Sequence, residues 1–220
     1  MKAFVSYSTI DKLIARQVKT ALDEYQVDAF LAHEDINVSQ EWKDRIIQEL
    51  KQANIVVALL SVAFKQSDWA PQEIGLASAR SDVLFIPLSV DGTISFGFIS
   101  HIQSKLIPAD GVHSDLFIEP IINRFPHHII PALIERMAGA RSFRGAEALM
   151  LPLVPHLDKF DDDEINAFAT ASIKNAQIWS AKECRDKYLP EFLNLHWSRL
   201  ETNKFEALEY QIKEGEWAKV

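Results

Sequence analysis

The stretch Ser67 to Ala79, SDWAPQEIGLASA, sets an indole and a carboxylate, Trp69 and Glu73, four residues apart at the start of a helical pattern. At that spacing the two side chains share one helix face. A carboxylate so placed can stabilise positive charge developing in a bound molecule, and lining by Trp69 and Ala77 would reduce its solvation and strengthen that field. The same residues have an ordinary reading. Carboxylates are favoured near helix N termini, and Ser67 or Asp68 followed by Pro71 has the form of a capped start.

Glu73 can meet a ligand only if the surrounding elements bring its helix to a crevice. Residues 1 to 125 alternate short apolar runs with amphipathic stretches, the signature of βα units and a parallel sheet. The pattern predicts strands at Ala3–Tyr7, Asp28–Leu31, Ile55–Leu60, Val83–Val90 and Lys105–Ile107, with helices near Asp11–Glu24, Ser39–Ala53 and Trp69–Arg80. The third and fourth strands, IVVALL and VLFIPLSV, are apolar on both faces and belong at the centre of the sheet. A strand order of 2-1-3-4-5 opens a crevice between strands one and three, bordered by the loops YSTID, AHEDINVSQEW and SVAFKQSDW. A phospho-acceptor role for this fold is excluded, because strand three runs into LLSV, which holds no aspartate.

The segments KAFVSYSTID, VDAFLAHEDINVSQEW, IVVALLSVAFKQSDWAPQEIGLA and LFIPLSVDG resemble, in order and spacing, the Toll/interleukin-1 receptor (TIR) family over residues 1 to 125. The resemblance is especially to the family's bacterial and plant branches, and within them the chain looks like the bacterial NAD-cleaving proteins that serve anti-phage defence, the Thoeris-like TIR proteins. That resemblance implies a flavodoxin-like α/β fold with a five-stranded parallel sheet. It also implies that Glu73 is the catalytic residue for cleaving the nicotinamide–ribose bond of NAD, which is then substrate and not cofactor. One carboxylate suffices for such chemistry. Ordinary glycosidases need a second to protonate the departing oxygen, whereas nicotinamide leaves NAD already neutral. What remains is to hold the ribose and stabilise an oxocarbenium-like charge, which an anionic Glu73 can do.

The expected substrate-binding residues are Tyr7, Ser8, Thr9, Asn37, Trp42 and Trp69. Ser8 and Thr9, where strand one turns into its helix, offer hydroxyls and amides to a diphosphate, with helix capping as the alternative. Several NAD-cleaving relatives carry arginines in this loop, and this chain has none there. Trp42 falls where relatives set an aromatic against the bound base, with a core role as the alternative. Asn37 occupies a position where some relatives contact substrate with an acid, while His33 and Asp35 are read as structural or assembly residues. The resemblance further implies a homo-oligomer built through TIR–TIR contacts, a product that is ADP-ribose or a cyclic isomer, and an effector protein responding to that product. Two other functions fit: a non-enzymatic TIR adaptor, in which Glu73 is merely a helix residue, and a nucleoside deoxyribosyltransferase-like enzyme, which also sets a carboxylate at a glycosidic bond.

From residue 126 to 220 strand-like runs give way to helical periodicity, predicting an all-helical second domain. Its stripes are Ile129, Ile130, Leu133, Ile134 and Met137; Phe143, Ala146, Leu149, Met150 and Leu153; and Ile165, Phe168, Ala169, Ser172 and Ile173. Prolines 131, 152, 155 and 190 are expected to cut these helices short. Asp161 to Glu164 lacks the alternating spacing of a calcium loop and reads as an acidic helix start, and His127–His128 lacks partners at zinc spacing. No metal site is expected. The formal charge of -8 falls on both parts of the chain, with 11 basic and 16 acidic residues up to residue 126 and no basic stripe, so nucleic acid is not an expected partner. The longest aliphatic run, Ile55 to Leu60, is far short of the roughly 20 residues a membrane span needs. With the single cysteine, Cys184, read as a buried thiol, this gives a cytoplasmic protein as the expectation.

Overall fold

The computed structural model describes residues 1–32 and 42–217, with the backbone alone described for Trp42 and 214–217. Strands β1 (Lys2–Ser6), β2 (Asp28–Leu31), β3 (Ile55–Leu60), β4 (Leu84–Ser89) and β5 (Lys105–Leu106) form one all-parallel sheet in the order β2-β1-β3-β4-β5. Every residue of β3 is buried, as a strand covered on both faces must be. The flanking helices are α1 (Lys12–Asp23), α2 (Trp42–Gln52), α3 (Val62–Gln66) and α4 (Ala70–Ser78). Strand order and all five strands agree with the sequence reading, apart from their ends. Tyr7 lies just past β1, and a 3-10 turn, Thr9–Asp11, precedes α1. The helix onset expected at Ser39 lies outside the described residues. The short α3 was expected to be loop; Ser61 starts it by accepting a hydrogen bond from the Phe64 amide at 3.0 Å.

Side-chain ties hold the carboxyl ends of the strands together. The Ser61 hydroxyl donates to the buried Asp11 carboxylate at 2.7 Å, joining the turn after β1 to the end of β3. The start of α4 is set by Ser67, whose hydroxyl accepts from the amides of Trp69 and Ala70, both at 3.3 Å, ahead of Pro71 in the first turn. At the other end of α4 the Arg80 guanidinium donates to the carbonyls of Leu50 and Ala53 at 2.7 and 2.9 Å, locking α4 to the C terminus of α2.

The chain divides into two compact units, Met1–Ile121 and Ile122–Val220. The sequence placed the change at residue 126; α5 (Asp115–Arg124) runs across the division. The second unit is helical: α6 (Pro126–Ala138), α7 (Phe143–Met150), α8 (Asp162–Lys174), α9 (Ala176–Trp179), α10 (Leu189–His196) and α11 (Thr202–Trp217). The three expected stripes supply its core, except that Phe143 is exposed and Leu149 and Ile173 are half-buried. Pro131 does not cut a helix short but sits inside α6, in its second turn. Only one backbone bond is lost there, and the buried neighbours Ile129, Ile130 and Leu133 hold the helix. Asp161 and Glu164 form a capping box at the start of α8, consistent with the acidic-start reading. Cys184 is buried, and that burial pushes its thiol up to about 12. No helix among the described residues is long and apolar enough to cross a membrane.

Gly75, inside α4, has no left-handed backbone to protect, and a methyl group there would meet Phe98 Cδ2 at 4.0 Å, an ordinary contact. Gly75→Ala should therefore stabilise the protein by up to about 1 kcal/mol through helix propensity, read as a higher urea midpoint. A lower midpoint would show that α4 is packed too tightly for one more carbon.

Candidate active site

Glu73 belongs to the first turns of α4, where the ordinary reading of the sequence was a carboxylate favoured near a helix N terminus. The structure buries it, leaving the residue 3% exposed. The reason lies in the sheet. Parallel β1 ends beside α4, and Ser6, its last residue, turns a hydroxyl toward the helix. That hydroxyl donates to Glu73 Oε2 at 2.6 Å, while the Ala70 carbonyl is 3.5 Å away. A hydroxyl has one proton to give, and the shorter, charge-assisted contact takes it. Oε1 of Glu73 is buried without a hydrogen-bond partner among the described residues.

Burial raises the Glu73 carboxyl from its ordinary 4.5 to about 7, and the Ser6 hydrogen bond works against that rise by favouring the ionised form. Glu73 lines a cleft of about 220 Å³ between α2 and α4, together with Lys43, Ile46, Ile47, Trp69, Gln72 and Leu76. Its walls are mostly apolar, so a charge entering it meets few competing dipoles. A wider groove of about 720 Å³ crosses the helical unit, but its one acid, Glu135, is exposed and no aromatic ring lines it. The smaller cleft is where the chemistry-bearing residues converge.

Of the residues singled out from sequence, Glu73 and Trp69 meet in this cleft, with Trp69 38% exposed as one wall. Tyr7 is fully enclosed, Ser8 is buried and Thr9 exposed. Ser8 does not cap: its side chain makes no capping bond, and only its carbonyl closes the turn by accepting from the Asp11 amide at 2.8 Å. Asn37, His33 and Asp35 lie outside the described residues, as does the side chain of Trp42, whose backbone opens α2. Three polar residues in or beside the cleft escaped the sequence reading: Ser6, Lys43 and Gln72. A hydroxyl closing the otherwise apolar run Ala3–Val5, at the end where ligands bind, was the available signal for Ser6. In the helical unit, ligand atoms of His127, Asp161 and Glu164 come within 4.8 Å of one another, a grouping that sequence distance concealed. Both carboxylates already serve the capping box, and Glu164 also faces His127 Nδ1 at 3.2 Å.

Across residues 3–114 the chain matches the sequence profile of the TIR domain family, over half its length and over every strand of the sheet. The chain belongs to the TIR domain family. Within this TIR domain the cleft lies between α2 and α4, beside the carboxyl end of β1. No curated protein matches the chain closely enough to name a nearer relative.

A carboxyl whose folded value exceeds its unfolded one contributes stability that is present below the unfolded value and lost as pH rises through the folded one. For Glu73 that window runs from 4.5 to about 7. Glu73→Gln, which cannot ionise, should match the wild type near pH 4.5 and be the more stable protein at pH 8, by up to about 3 kcal/mol. Paired urea titrations at the two pH values measure this. A difference that does not change with pH would contradict the burial of an ionising carboxylate.

Proposed function

We propose that this TIR protein is an NAD+ glycohydrolase or ADP-ribosyl cyclase in which Glu73 is the catalytic residue. The observation that carries the reading is a carboxylate buried in a narrow apolar cleft beside an indole, with one oxygen committed to Ser6 and the other without a partner among the described residues. Leaving a buried acceptor unmatched costs about 1–3 kcal/mol, an expense without purpose in a module that only binds other proteins. Ribose hydroxyls are the donors such an oxygen lacks.

In the proposed reaction the bond between ribose C1′ and the pyridinium nitrogen breaks, and its electron pair stays with nicotinamide, which leaves neutral. Positive charge develops on the ribose, where the ionised Glu73 stabilises it in a site with little water to screen the field. Water then attacks C1′ and loses a proton, giving ADP-ribose; attack by an adenine nitrogen gives a cyclic isomer. NAD is the substrate, and the step needs no cofactor and no general acid. The proposal includes a cytoplasmic role in bacterial anti-phage defence, by depleting NAD or by making a signal for an effector protein. It also includes homo-oligomers formed through TIR–TIR contacts, for which the exposed apolar side chains Ile10, Leu13 and Val62 speak. Those side chains would equally serve an adaptor; the buried Glu73 is what favours the enzyme.

The test is to incubate the purified protein with NAD, at increasing protein concentration, and to separate nicotinamide, ADP-ribose and cyclic isomers by chromatography. Wild type should release nicotinamide, and folded Glu73→Gln should lose on the order of 100- to 1,000-fold in rate. A deoxynucleoside offered in place of NAD should stay intact. Wild-type turnover retained by the folded variant, or cleavage of the deoxynucleoside alone, would overturn the assignment.

A further inference from the structure

We propose that Ser6 is the positioning residue for Glu73: donating from a fixed point at the end of β1, it holds Oε2 and reserves Oε1 for the hydroxyls of the substrate ribose. The proposal rests on the NAD reading for the identity of the ligand, and on geometry alone for the coupling between the two side chains. Ser6 is fully buried and pinned by the sheet, since β1 pairs with β3 with Ser6 opposite Ala58. Its 2.6 Å bond therefore joins a rigid strand to the first turns of α4. A carboxylate held by one oxygen has lost most of its freedom to rotate, and the freedom lost beforehand need not be lost when substrate binds. The two oxygens are thereby made unequal, one an anchor and the other the reactive face.

The same bond governs when Glu73 is ionised. Ser6 stabilises the anion, opposing the burial that favours the neutral acid. Other charges of the described residues have little part in that balance. α4 packs against β1, β3, α2, α3 and the Gly97–Ile99 turn, and has no second ionisable side chain of its own. β3 and the turn have none. Lys2 lies at the far end of β1, bonded to Gln52, and Lys65 of α3 lies over the Phe96 ring. On α2, Arg45 pairs with Glu49 at 2.6 Å, Asp44 and Lys51 are exposed, and Lys43 alone among these charges lines the cleft.

The experiment compares wild type, Ser6→Ala and Ser6→Thr by two readouts. The first is the titration of the Glu73 carboxyl carbon by NMR, assigned by its loss in Glu73→Gln. Removing the donor should raise the Glu73 midpoint by roughly one unit, and threonine, which keeps the hydroxyl, should restore it. The second is NAD cleavage against pH. In Ser6→Ala the acid limb should move up with the carboxyl, so that a loss of about tenfold near pH 6.5 shrinks toward pH 9, with KM nearly unchanged. A merely structural role for Ser6 would lower the rate equally at every pH. Should Ser6→Ala fold poorly, Ser6→Cys, a weaker donor of similar size, should give an intermediate shift. A Glu73 titration that does not respond to the donor overturns the proposal whatever the activity. A titration that shifts in a protein that never cleaves NAD upholds the coupling and removes only the NAD reading.

Discussion

A carboxylate shut away from water must find donors for its oxygens or take up a proton, and Glu73 does part of each. One oxygen has the Ser6 hydroxyl; the other has nothing among the described residues, and the group titrates near neutrality as a result. Much of the α/β unit's local design can be understood as what makes this arrangement hold. A buried anion tolerates little movement, because any shift that lengthens its one hydrogen bond exposes the full desolvation cost.

The sheet supplies the fixed point. β1 lies between β2 and β3, and its last residue pairs with Ala58 of β3, which fixes the backbone from which the Ser6 hydroxyl reaches Glu73. α4 meets that hydroxyl because its own ends are determined: Ser67 sets its start, and Arg80 ties its finish to the carbonyls that close α2. α2 and α4 thus form two walls of a cleft whose apolar lining keeps the carboxylate poorly solvated, with the exposed Trp69 as part of one wall. Burial, capping and strand pairing converge on one side chain, and the proposed chemistry uses what burial creates, an anion eager to meet positive charge.

The period-two and period-3.6 patterns made the strands and their order legible, because a doubly covered parallel strand such as IVVALL has few other readings. Trp69 and Glu73 were legible as a pair from their spacing. The burial of Glu73 was not, since it depends on where β1 ends relative to α4, a distance of 67 residues along the chain. Ser6 was missed for the same reason: a small hydroxyl inside an apolar run looks like a packing residue until its partner is known. The meeting of His127 with Glu164 is another contact of this kind. Pro131 shows the converse error, in which a strong local rule gave way to the buried face of a helix already begun.

The most direct measurement is a crystal structure of folded Glu73→Gln protein saturated with NAD, in which binding survives while cleavage is slowed. The account predicts the nicotinamide ribose in the cleft between α2 and α4, with its hydroxyls within hydrogen-bond reach of residue 73, the side chain of residue 73 still held by Ser6, and a ring of the ligand against Trp69. NAD bound elsewhere on the protein, or a saturated crystal with the cleft unoccupied, would contradict it.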